Sequence, residues 1–206
     1  MRTGPFPRRR SLALAAVGIL AMALTACTGR GGGQLAPDGA VFTGPAMFGF
    51  AFSCEDASTT LNSPAGQLRI QLAYSDRSSN KIISPFSVHG TVDTIDPVVE
   101  SMICIGQEPP PEPDPQTLVF LGRYRLSSSA PTGFPSTCPA RQTAMTPLCR
   151  FEVVVRDNDM NRAPSIGDYF QIKLSSGTDL KSQLDPLTVF YTRAGLLSSG
   201  NLTVDY

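Results

Sequence analysis

Apolar and polar residues alternate with a period of two along most of the chain. Phe48, Phe50, Phe52 and Cys54 make one face of a segment whose other face is Met47, Gly49, Ala51 and Ser53. Leu68, Ile70, Leu72 and Tyr74 alternate with Gln67, Arg69, Gln71 and Ala73, and Phe170, Ile172 and Leu174 alternate with Gln171, Lys173 and Ser175. Alternation of this kind turns one side of an extended chain to a core and the other to water, which marks a half-buried strand and not a helix. Leu118, Phe120, Tyr124 and Leu126 keep the period across Gly122, and Val88 and Val92 flank residues 89–91. Met102 and Cys104 oppose Ile103 and Ile105, and Leu202, Val204 and Tyr206 form a last alternating segment. The β-branched run Val153 to Val155 reads as a strand buried on both faces. Together these predict an all-β domain, an antiparallel β-sandwich or barrel-like sandwich of about nine or ten strands.

The N-terminus breaks the pattern. Arg8, Arg9 and Arg10 precede an unbroken apolar run from Leu12 to Leu24, too short for a spanning helix of about 20 residues and right for the core of an export signal. The run ends in Leu24, Thr25, Ala26 and Cys27, which resembles the lipobox of bacterial lipoproteins: a branched apolar residue, two small ones and a cysteine. The resemblance implies removal of residues 1–26 and lipidation of Cys27 with palmitate-type chains; with the alternating pattern above, the organisation expected is a short tether at 27–30 and a single β domain at 31–206. It also implies that the mature protein is extracytoplasmic. The protein would sit in the outer membrane of a two-membraned cell, since Thr28 and not Asp follows the anchor, or otherwise on the outer face of the cell membrane. Two or three acyl chains, at about 0.8 kcal/mol per buried methylene, hold a protein on a bilayer where one does not.

Cleavage also changes the charge. The precursor balances 17 basic against 17 acidic residues; loss of Arg2, Arg8, Arg9 and Arg10 leaves 13 basic against 17 acidic, a net −4. An even or mildly acidic balance gives no footprint for nucleic acid. With 18 glycines, 18 prolines, no tryptophan and one histidine, the composition suits a turn-rich β protein and excludes a multi-histidine metal centre. Pro109, Pro110, Pro111, Pro113 and Pro115 crowd residues 106–116 and predict an extended surface loop, because proline cannot donate to a sheet ladder.

After Cys27 there remain Cys54, Cys104, Cys138 and Cys149. An even number in an exported domain points to two disulfides. Of the three possible connectivities, Cys54 with Cys104 and Cys138 with Cys149 is favoured. The first pair falls at apolar strand positions and the second brackets a short loop containing Pro139 and Pro147. The two crosslinks contribute about 4 and about 3 kcal/mol in the loop-entropy model.

Several pieces of the mature chain resemble an uncharacterised extracellular β module of bacterial surface proteins. They are Gly31 to Leu35, Ala46 to Phe50, His89 with Gly90, Val155 to Asp157, Gly167 to Phe170, and Ser199 to Leu202. This likeness implies a fold and transfers no enzymatic activity.

The sharpest candidate for chemistry is the run Asp157, Asn158, Asp159, Met160, Asn161, continuing to Asp168. Oxygen side chains at positions 1, 3, 5 and 12 match the spacing of a calcium loop, with Asp157, Asp159, Asn161 and Asp168 as ligands. Against this, Arg162 stands where the loop needs glycine, and the alternative is a polar turn closed by Asx bonds. His89 is the only imidazole, and no GxSxG elbow accompanies it. Tyr74, Tyr124, Tyr169, Tyr191 and Tyr206 offer at most a stacking platform for sugars. The reading that results is a non-catalytic, lipid-anchored envelope protein that meets the membrane through its lipid and another envelope protein or glycan through its surface. It needs no cofactor. The alternatives are a calcium- or glycan-binding module and, behind it, a hydrolase.

Overall fold

The computed structural model describes residues 27–39, 41–54, 68–79, 84–91, 116–127, 131–139, 147–158, 167–178 and 184–205. Eight antiparallel strands follow one another around a closed barrel: β1 (Cys27–Leu35), β2 (Ala46–Cys54), β3 (Leu68–Asp76), β4 (Phe86–Thr91), β5 (Thr117–Leu126), β6 (Cys149–Arg156), β7 (Tyr169–Ser175) and β8 (Val189–Asp205). Closure removes the sheet edges that an open sandwich would leave to be covered.

Among the described residues the strands number eight, a little below the nine or ten expected. Met102 and Cys104 lie outside the described residues. The terminal segment at Leu202 to Val204 is the second half of one long strand: β8 pairs with β7 as far as Leu196 and with β1 from Leu197 onward. Residues 27–30, expected as a tether, are the first four residues of β1, all paired with β2 and, from Thr28 onward, with β8. Cys54 begins no described loop and Cys104 is outside the described residues, so the pairing expected between them lies outside what the structure describes.

Aromatic rings fill the barrel. Phe48, Phe50 and Phe52 of β2 point inward with Ile70, Leu72 and Tyr74 of β3, as the alternation predicts. Phe48 stacks on Phe170 with ring centroids 3.7 Å apart, and Phe120 meets Phe50 and Phe52 at 5.5 and 5.4 Å and Phe151 edge-on at 6.1 Å. Offset and edge-on pairs add to the area they bury. So many rings need room on neighbouring strands. A Cβ at Gly90 or Gly122 would stand 2.5 or 2.7 Å from the Phe151 ring. In β1, a Cβ at Gly29 would stand 2.4 Å from Leu118 and one at Gly33 2.4 Å from Leu197. Glycines on the inner face are therefore part of the core's shape.

Cys138 and Cys149 are joined by a disulfide, one of the two crosslinks expected. It ties the β5–β6 connection to the first residue of β6, in the core beside Tyr124, whose hydroxyl lies 3.3 Å from the Cys138 sulfur and donates to the Ser175 carbonyl at 3.2 Å. Replacing both cysteines by alanine is expected to lower stability by about 3 kcal/mol. The measurement is the shift of the denaturant midpoint, and a variant that unfolds with the wild type would mean that the bond adds nothing.

Candidate functional site

Four places bear on function: the Cys27 end of the barrel, the Asp157–Asp168 connection, the outer wall of β1 to β5, and a buried polar network inside.

Cys27 opens β1, and its neighbours across the ladder are Cys54 of β2 and, one residue on, Asp205 of β8 opposite Thr28. The β6–β7 connection leaves the barrel at the same end. Of its candidate ligands, Asp157 and Asp168 are described and buried, whereas Asp159 and Asn161 lie outside the described residues. Asp168 works as a clamp. Its Oδ2 accepts the Leu202 N–H at 2.7 Å and its Oδ1 accepts the Asn158 N–H at 3.1 Å, while its carbonyl accepts the Leu197 N–H at 2.8 Å. Asn158 returns the favour by donating its side-chain amide to the Gly167 carbonyl at 2.8 Å. β8 outruns β7 beyond Leu196, and Asp168 supplies the acceptors that β7 no longer offers there. Among the described residues, no group of three or more His, Cys, Asp or Glu side chains stands together as a metal site.

The clamp has a measurable consequence. Asp168→Ala leaves two backbone donors unmet, one of them the buried Leu202 N–H, and is expected to lower stability by about 1.5–3 kcal/mol. The loss should be equal in calcium and in chelator. A loss seen only with calcium would make Asp168 a metal ligand instead.

On the outer wall, facing residues run Arg125, His89, Ala73, Gly49 and Gly32 across five strands. The small residues leave a shallow trough of about 570 Å³ there, lined by Gly49, Ala51, Gln71, Ala73, His89 and Arg125, and it adjoins a second hollow that includes Arg30, Arg69 and Asp205. His89 is exposed on this wall and makes no side-chain hydrogen bond among the described residues. The tyrosines point elsewhere: Tyr74, Tyr124 and Tyr191 are buried in the barrel and form no outer stacking platform. Tyr169 is half-buried under the Arg156 guanidinium, 5.4 Å from its ring centroid.

The network inside the barrel was not foreseen. Asp76 and Arg193 form an ion pair at 2.8 Å with side chains 3% and 2% exposed. Tyr191 donates to Asp76 Oδ2 at 2.5 Å, so its oxygen must accept from Tyr74, with which it forms a short hydrogen bond. The Ser78 N–H donates to Asp76 Oδ1 at 2.7 Å. Arg193 also donates to Ser78 Oγ at 3.2 Å and to the carbonyls of Ala36 and Gly44 at 3.0 and 2.9 Å, with its guanidinium 4.6 Å from the Phe42 ring centroid. Burial alone would raise the Asp76 carboxyl, but the hydrogen bonds from Tyr191, Arg193 and Ser78 outweigh it and hold the pKa below the ordinary value. Burial, with the Asp76 charge nearby, pushes both tyrosine hydroxyls far up. All these groups keep one protonation state at neutral pH. The network is a tie between the β1–β2 and β3–β4 connections and the barrel wall, and it activates no nucleophile. The signal for it was phase: Asp76 extends the inward series Ile70, Leu72, Tyr74, and Arg193 follows inward Tyr191 by two.

No protein-family model matches the chain, and neither a curated protein nor a solved structure shows significant similarity to it.

Proposed function

We propose that this chain is a non-catalytic, lipid-anchored cell-envelope protein that acts by holding a barrel surface against another envelope component. The observation that carries the reading is the run from Arg8 to Cys27, in which a basic segment, a short apolar core and Leu24, Thr25, Ala26, Cys27 stand in the order that export and acylation require. The position of Cys27 supports it. All eight strands lie at or after this residue, so cleavage before it leaves the barrel whole, and an acyl group there is joined directly to β1 with no intervening tether. The core supports a surface role, because among the described residues the inward positions are occupied by packed phenylalanine and tyrosine rings. The membrane is one partner, through the lipid. The other is a protein or glycan of the same envelope, on the outer membrane of a two-membraned cell or the outer face of a single membrane.

Crosslinking in intact cells, followed by identification of what is attached, tests the interaction role. A discrete adduct with one envelope component is expected. Recovery of the uncrosslinked chain alone, at every crosslinker concentration, would remove that role.

A further inference from the structure

The register of β1 on β2 sets Cys27 and Cys54 at facing Cα positions, the outermost matched pair of the two strands. Facing residues of an antiparallel pair stand about 4.5 or about 5.5 Å apart at Cα. Both values fall inside the roughly 4.4–6.8 Å that a disulfide spans. With Cys138 and Cys149 already joined, three cysteines remain, Cys27, Cys54 and Cys104, and three thiols cannot all be paired. A lipid on Cys27 leaves Cys54 and Cys104 to each other. Without the lipid, the backbone holds Cys54 opposite Cys27.

We propose that Cys54 is the alternative fate of Cys27: in exported chains that escape acylation the two form a cross-strand disulfide between β1 and β2, so that acylation and crosslinking of Cys27 exclude each other. The acylated arm rests on the anchoring reading above; the crosslinked arm rests on the register alone. The oxidant is a disulfide of the thiol–disulfide oxidoreductase class present in oxidising export compartments. One cysteine thiolate attacks it, forming a mixed disulfide and releasing the first oxidant thiolate. The second cysteine thiolate then displaces the other oxidant sulfur. The protein loses two protons and two electrons, and the oxidant leaves as a dithiol. An acylated Cys27 sulfur is a thioether and cannot enter this exchange. Acylation must therefore precede the docking of β1 on β2 in an oxidising compartment.

The test exports the full chain in cells with diacylglyceryl transfer intact and in cells where that step is blocked. Free thiols are trapped with N-ethylmaleimide, and unreduced digests are read by mass spectrometry. In blocked cells the expected result is the Cys27 peptide joined to the Cys54 peptide, with the maleimide on Cys104. The crosslink should survive Cys104→Ser, and Cys54→Ser should turn Cys27 from unlabelled to fully labelled. In cells with transfer intact, the Cys27 peptide should carry lipid and no Cys27–Cys54 species should form. Maleimide on Cys27 with Cys54 joined to Cys104 in blocked cells would overturn the proposal. A Cys27–Cys54 species in both cells, with no lipid in either, would overturn the anchoring reading and leave the crosslink standing.

Discussion

Arg193→Met is expected to destabilise the barrel by about 3–5 kcal/mol, because it leaves the Asp76 carboxylate buried without its counter-ion. Asp76 is 2% exposed, and the remaining donors, Tyr191 and the Ser78 N–H, cannot neutralise its charge. The same substitution frees the carbonyls of Ala36 and Gly44, so the β1–β2 connection should lose protection against hydrogen exchange before the strands do. The double variant Asp76→Leu with Arg193→Met removes both charges and should recover much of the loss, since a buried pair repays little beyond its own desolvation. A cycle in which the two single losses simply add would show that the groups are not coupled. Acid gives a second readout. The Asp76 pKa is depressed in the folded barrel, so its contribution to stability is fully present above the unfolded value of about 3.9 and is lost as pH falls through the lower folded value. Wild type should lose stability on acidification below about pH 4, and Asp76→Leu with Arg193→Met should lose less.

Cys27→Ser is expected to move the protein from the membrane to the soluble extracytoplasmic fraction. Two acyl chains hold a protein on a bilayer essentially without release on the time of a fractionation, and a hydroxyl at this position accepts no thioether-linked lipid. Because the chain enters β1 at Cys27 itself, the released protein should keep the β signature of the wild type by circular dichroism. Fractionation by centrifugation and detergent-phase partition reads the effect. A Cys27→Ser protein that has lost residues 1–26, as intact mass reads it, and still pellets with membranes would place the attachment elsewhere.

The strands were legible where one face is apolar and the other polar. β3 and β7 obey that rule; β2 and β5 keep the period of their inward residues, but the other face of β2 carries Met47, Gly49 and Ala51, and that of β5 buries Leu121 and Arg123 as well. β1 was harder because its inward positions are Gly29, Gly31 and Gly33, which carry no hydropathy; their role is to leave room for Leu118, Leu202 and Leu197. β8 was read only at its end because Arg193 and Gly195 interrupt the inward apolar series after Tyr191, and the arginine's partner comes from Asp76, 117 positions earlier. A sequence pattern reports local phase. It cannot report that two charges on distant strands cancel inside a barrel. Asp168 shows the same limit from the other side: the ligand-like spacing of its loop was visible, whereas its service to the Leu202 and Asn158 amides depends on β8 outrunning β7. Closure itself was not written in any one segment. It follows from the pairing of the first strand with the last, which no periodicity records.

The intact mass of the protein extracted from membranes decides whether Cys27 is the acylated first residue of a barrel that begins there. A mass for residues 27–206 plus diacylglyceryl, with or without a further acyl group on the amine, is the expected result. A membrane-extracted chain that retains residues 1–26, or that begins at Cys27 with no lipid mass, would contradict it.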